Sequence, residues 1–126
     1  MSWQSYLDTQ LIASGCIKEC AIIGFQGEFW AKSADFNFKP NENVNLVRNF
    51  SDPSLPRASG VVVNGNKFMC IRADGNAVYG KKGSDGIVTV KTNKCVIVGL
   101  YHEPIQPGQA TNVVEKLGEY LRSAGY

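Results

Sequence analysis

Residues 58–101 read "ASGVVVNGNKFMCIRADGNAVYGKKGSDGIVTVKTNKCVIVGLY". β-Branched and aromatic residues gather in short runs, and Gly, Asn, Asp and Ser punctuate them at regular intervals. The runs are 58–63, 67–73, 77–82, 87–91 and 95–101. Asn64-Gly65 joins the first two, and both residue types tolerate the positive φ of a tight hairpin turn. Asp74-Gly75 repeats that device, "GSDG" at 83–86 leads into the fourth run, and Thr92–Lys94 into the fifth. Turns this short join antiparallel neighbours. The segment predicts a five-stranded antiparallel meander.

Working outward, "CAIIGF" (20–25) and "EFWAKS" (28–33) read as two more strands around a Gln26-Gly27 turn. The sheet then has about seven strands. "PNENVNLVRNF" (40–50) reads as a short helix, with Asn41 as its cap and Pro53 soon after its end. At the start of the chain Ser2 can cap a helix whose Trp3, Leu7 and Leu11 share one stripe, closing near Gly15. A last helix runs from about Pro107 to Ala124, with Ala110, Val113, Val114, Leu117, Leu121 and Ala124 on one stripe and Gly125 placed to stop it. Apolar stripes on both terminal helices need a surface to cover, and the sheet supplies it. The expected fold is α+β: a central antiparallel sheet of about seven strands with the N- and C-terminal helices packed on one face, in a single domain over 1–126.

Composition bounds the function. With 44% hydrophobic and 19% charged residues the chain is of the soluble globular kind. A net charge of +2 gives no argument for a nucleic-acid partner. The opening carries Asp8 and no basic region, so no signal peptide is expected, and no apolar run approaches the ~20 residues of a membrane span. A cytosolic home follows, and with it the "NFS" at Asn49 is not read as a glycosylation site. Cys16, Cys20, Cys70 and Cys95 fit no zinc spacing beside the single His102, so free thiols, no metal and no cofactor are expected. No nucleophile–base spacing argues for an enzyme.

"GNAVYGKK" (75–82) has the Gly-x4-Gly-Lys lettering of a phosphate loop, but Lys82 stands where a Ser or Thr hydroxyl should bind magnesium. A strand follows instead of a helix, so no amide-lined N-terminus cradles phosphate. Lys81 and Lys82 come close to Arg72 and Lys91 if neighbouring hairpins pair. Two readings fit: solvated lysines at strand ends, or a basic patch facing an anion or an acidic protein.

The aromatics are more informative. At about 100° per residue, Trp3 and Tyr6 lie on one margin of the first helix's buried stripe, and Tyr120 on the margin of the last. Trp30 sits on an early strand and Tyr126 beyond Gly125. If the terminal helices lie side by side, the five rings can converge. They are then either rim packing or a ridged surface that grips a polyproline II helix, whose preformed shape loses little entropy and whose carbonyls can bond Tyr and Trp.

At this point long blocks in order carry a resemblance. "MSWQSYLD", "AIIGFQGEFWAKS", "YGKKGSDGIVTVKT" and "VGLYHEPIQPGQATNVVEKLGEYLRSAGY" resemble the profilin family, its amoeboid and plant members in the third and fourth, over nearly the whole chain. The resemblance implies a small monomeric cytosolic protein, not an enzyme, that binds monomeric actin, proline-rich segments of actin-assembly factors and phosphoinositides. It implies proline-binding contacts at Trp3, Tyr6, Trp30, Tyr120, Leu121 and Tyr126; vertebrate members resemble this chain with histidine where Tyr120 stands. It implies an actin face at Arg72, Lys81, Lys82, Lys91, Gln106, Gly108, Asn112 and Lys116; Lys116 stands where vertebrate members resemble it with an acidic residue. Phosphoinositides would use Arg72, Lys81, Lys82 and Lys91 and so compete with actin. The alternative is a phosphoinositide- and polyproline-binding module with weak or no actin affinity.

Overall fold

The computed structural model describes residues 2–34 and 36–126. Seven strands form one antiparallel sheet: β1 (Glu19–Gly24), β2 (Phe29–Lys32), β3 (Val61–Val63), β4 (Asn66–Ala73), β5 (Ala77–Lys82), β6 (Asp85–Lys91) and β7 (Cys95–Tyr101), in the order β2-β1-β7-β6-β5-β4-β3. The meander is as the sequence reads, and β1 docks on its last strand.

The N-terminal helix is less regular than its stripe suggests. An α-helical turn, α1 (Trp3–Tyr6), widens to a π turn over Leu7–Leu11 and tightens to a 3-10 turn over Ile12–Ser14. Ser2 caps it, its hydroxyl accepting the Ser5 N–H at 3.2 Å. Leu7 and Leu11 are fully buried against the same sheet face as the C-terminal helix α4 (Pro107–Ser123). That helix lies close: a Cβ on Gly118 would meet Val90 Cγ1 at 2.9 Å, and one on Gly99 would meet Val114 at 2.9 Å.

The opposite face is also covered. α2 (Glu42–Ser51) packs there, its Leu46 and Phe50 in one core with Ile23, Val78, Ile87, Val96 and Val98, and α3 (Ser54–Ser59) lies against β4. This double cover explains why every residue of β7 is buried. α3 departs from the sequence expectation of one strand over 58–63, of which only Val61–Val63 pairs. Pro56 lies in the first turn of α3, where a missing N–H is harmless, and six residues show no helical period.

The turns follow from side chains as much as from glycine. Asn64 and Gly65 both have positive φ, 51° and 74°, as the hairpin requires. Beneath them the buried Glu42 carboxylate accepts N–H bonds from Asn64 (2.5 Å), Gly65 (2.8 Å) and Lys39 (2.8 Å). Asp74-Gly75 differs from expectation: Gly75 does not have positive φ. The Asp74 carboxylate holds that turn instead, accepting from Asn76 N–H at 2.7 Å and Ala77 N–H at 2.9 Å. Asn41 precedes α2 with positive φ and makes no side-chain cap.

Candidate functional site

Three elements bring the five predicted rings together. α1 carries Trp3 and Tyr6 one turn apart, with ring centres 5.6 Å apart. β2 sets Trp30 against Trp3 at 4.7 Å. α4 presents Tyr120 to Tyr6 at 5.8 Å. Tyr126 meets Trp3 edge-on at 4.8 Å. The helix stop places that last ring: Gly125 takes φ 94°, Tyr126 N–H donates to the Leu121 carbonyl at 2.8 Å and Gly125 N–H to Arg122 at 3.1 Å. These are the two bonds of a Schellman closure. The Tyr126 carbonyl is pinned in turn by the Lys94 N–H and the Thr92 hydroxyl, at 2.5 and 2.8 Å.

Trp3, Tyr6 and Trp30 are half-buried, while Tyr120 and Tyr126 remain 52% and 40% exposed. The rings therefore form a continuous ridge open to solvent. Leu121, predicted as a contact, is fully buried and serves as the floor. Beside the ridge lies a cleft of about 360 Å³ lined by Tyr6, Gln10, Val113, Lys116, Leu117 and Tyr120. The Tyr120 hydroxyl next to Tyr6, and some desolvation, hold the Tyr6 phenol above its ordinary pKa, so the Tyr6 hydroxyl is a protonated donor at neutral pH.

The predicted basic patch is divided. Neighbouring residues of a strand point to opposite faces. Lys81 faces the α4 side and lines a cleft of about 610 Å³ with Pro104, Gln106 and Pro107. Lys82 bonds Asn66 Oδ1 at 2.9 Å. Arg72, paired with Tyr79 across β4–β5, lies over that ring at 5.4 Å and bonds Asp74 at 2.9 Å. Two backbone N–H bonds, with help from Arg72, hold Asp74 below its ordinary pKa. Lys91 is elsewhere. It lies five residues along β6 from Gly86, the partner of Lys81, which is about 16 Å at strand rise. Its ammonium sits over Phe25 at 5.6 Å, on the α2 side. The α4 residues divide as well. Gln106, Gly108, Asn112 and Lys116 are all exposed, and of these Lys116 lines the aromatic cleft.

Sequence reasoning missed the residues that join Arg72 to α4. The Tyr79 hydroxyl donates to Glu115, and burial first, then Glu115, push the Tyr79 phenol well above its ordinary pKa. Glu115, Glu119 and Arg122 line one polar cleft with Arg72. Met69, 72% exposed, pairs with Lys81, and Ile71 is 59% exposed at a bulge between Cys70 and Arg72. The unbroken apolar run Phe68, Met69, Cys70 and Ile71 carried the signal, because on a strand such a run places apolar side chains on both faces.

The described residues contain no cluster of His, Cys, Asp and Glu able to hold a metal ion. No helix among them is long and apolar enough to cross a membrane.

Comparison with known proteins agrees with this architecture. Profilin-2 of Acanthamoeba castellanii is 48% identical over 126 residues that span all of both chains. A crystal structure of Acanthamoeba castellanii profilin II superposes with a TM-score of 0.95 at 47% identity, over 99% of this chain and all of that one. Mouse profilin IIa, solved in complex with a double repeat from the FH1 domain of mDia1, shares the fold over both full chains at 22% identity and a TM-score of 0.79. The profilin family model matches residues 1–126, and with the terminal helices, the meander and the ring ridge in place, the chain belongs to the profilin family.

Proposed function

We propose that the protein is an adaptor that binds proline-rich segments through the ring ridge and an actin monomer through a separate face, and so regulates actin polymerisation. The observation that carries the reading is the unbroken contact chain Trp30–Trp3–Tyr6–Tyr120, with Tyr126 on Trp3. A row of exposed ring faces with outward hydroxyls suits a polyproline II ligand, whose proline rings stack and whose carbonyls accept hydrogen bonds.

The actin face lies around Arg72, Met69, Tyr79, Lys81 and the exposed start of α4 at Gln106, Gly108 and Asn112. Outward apolar side chains ringed by charge are the composition of a protein interface. Arg72, Lys81 and Lys82 would also meet phosphoinositide headgroups at a membrane surface, in competition with actin and weakened by salt, because exposed charges are screened within about 8 Å at physiological ionic strength. The protein needs no catalytic group for this role, and works in the cytosol where actin is.

The test is a pair of assays on the wild type and Trp3→Ala. The variant should lose retention on poly-L-proline resin and still suppress actin sedimentation, with an unchanged circular dichroism spectrum. Loss of both activities in a folded variant refutes the two-site reading. An intact ridge with no effect on actin at high concentration supports the module that binds lipid and proline-rich segments alone.

A further inference from the structure

On the sheet face opposite the ring ridge, α2 and the turn after β1 leave an open cleft of about 350 Å³. Phe25, Val44, Val47 and Phe50 form its apolar walls, and Arg48 and Lys91 stand at its edge. Phe25 and Val44 remain 39% and 41% exposed, apolar surface that the core leaves in water. The Lys91 ammonium is held 5.6 Å above the Phe25 ring, so a cation is fixed at an apolar wall. Among the described residues the ion pairs are Arg72–Asp74 and His102–Asp85, so neither Arg48 nor Lys91 has a carboxylate within 4.0 Å. No acidic residue lines the cleft.

We propose that this cleft binds a single-chain amphiphile with one anionic head group. The chain lies on Val44, Val47 and Phe50, and the head sits between Lys91 and Arg48. Two uncompensated cations beside exposed apolar walls complement that ligand in both charge and polarity. The volume lies in the range of small-molecule pockets, roughly 300–1,000 Å³, and is far too small for a helix or a second folded subunit. The site is independent of the proline and actin surfaces, since it lies across the sheet from the rings and from Lys81.

The test is a titration of ¹⁵N-labelled protein with decanoate below its micelle concentration, beside octanoate and uncharged decanol. Decanoate should give saturable one-site shifts at Phe25, Val44, Val47 and Lys91. Octanoate, two methylenes shorter, should bind up to about fifteenfold more weakly, because each buried methylene contributes about fourfold. Decanol and the Arg48→Gln/Lys91→Gln variant with decanoate should each show at least about tenfold weaker binding, near the ~1.5 kcal/mol at the low end for a hydrogen bond to a charged group. The double variant should keep its spectrum and its poly-L-proline retention, which shows that it is folded. The proposal is overturned by non-saturating shifts, by shifts centred on Tyr6 and Lys116, by equal binding in the double variant, or by binding to anionic vesicles with no response to decanoate.

Discussion

Glu42→Gln tests how much one buried carboxylate organises the far side of this fold. Oε1 accepts the Lys39 and Asn64 N–H groups, and Oε2 accepts Gly65 N–H. The residue is 6% exposed, so water does not replace these bonds easily. Glutamine keeps the volume but removes the charge and turns one acceptor into an N–H₂ donor, so at least one of the three donors faces another donor. Hydrogen bonds to charged groups contribute about 1.5–3 kcal/mol each and an unsatisfied buried donor costs about 1–3 kcal/mol. Part of the loss is relieved because the turn lies at the surface, leaving about 2–4 kcal/mol. A chain of 126 residues has a total stability of about 6–19 kcal/mol. The midpoint of thermal unfolding should fall by roughly 8–14 °C. Urea unfolding should show a lower midpoint with the same slope, since the surface exposed on unfolding is unchanged. Poly-L-proline retention at low temperature should be intact, because the clasp and the rings lie on opposite faces of the sheet. A midpoint within about 2 °C of wild type would show that the turn holds itself through Asn64-Gly65 alone, and the account of Glu42 would be wrong.

Tyr120→Ala should leave folding unchanged, since the ring is 52% exposed, and weaken proline-peptide binding by about 5–12-fold, the value of one aromatic contact of ~1–1.5 kcal/mol, measured by tryptophan fluorescence titration. Gly118→Ala should destabilise by about 1–2 kcal/mol in urea, against the usual helix gain of alanine, because the added Cβ meets Val90 at 2.9 Å. A disulfide-exchange reagent at neutral pH should modify Cys16 and Cys70 while Cys20 and Cys95 wait for unfolding; both of these are buried, and burial pushes the Cys20 thiol up to about 12. Stability should fall as pH rises past roughly 10, the ordinary tyrosine value. Burial holds Tyr79 and Tyr101 above it in the folded protein, so the unfolded chain releases those protons first. Phenolate absorbance of the native protein should lag that of the urea-unfolded chain; coincident curves would refute this.

The parts of the fold legible in the sequence are those set by local chemistry. Asn64-Gly65 has the positive φ that its letters demand. The β-branched runs pair as their spacing requires, and the two helix margins that carry Tyr6 and Tyr120 do meet. The illegible parts depend on parity and register. A residue on a strand faces one side or the other according to counting from a fixed point, and a bulge resets the count. The bulge between Cys70 and Arg72 leaves both Ile71 and Arg72 in solvent. Lys91 looks in sequence like a neighbour of Lys81, yet it sits at the other end of the hairpin and on the other face. Lys116 shares a helix with Asn112, but about 40° of rotation turns it toward Tyr6. Glu42 left no mark at all, since a clasp is made by residues 22 and 23 positions away.

The Schellman closure that seats Tyr126 on Trp3 has a bearing on when the protein can act. The ridge draws its rings from opposite ends of the sequence, and β1 and β2 reach the rest of the sheet only through β7. A chain still being synthesised, or one whose last helix has peeled away, presents Trp3 and Trp30 without Tyr120 or Tyr126. On the proposed reading of the ridge, partner capture would wait until folding is finished. The surface proposed to recruit a partner would also certify that the molecule offering it is whole.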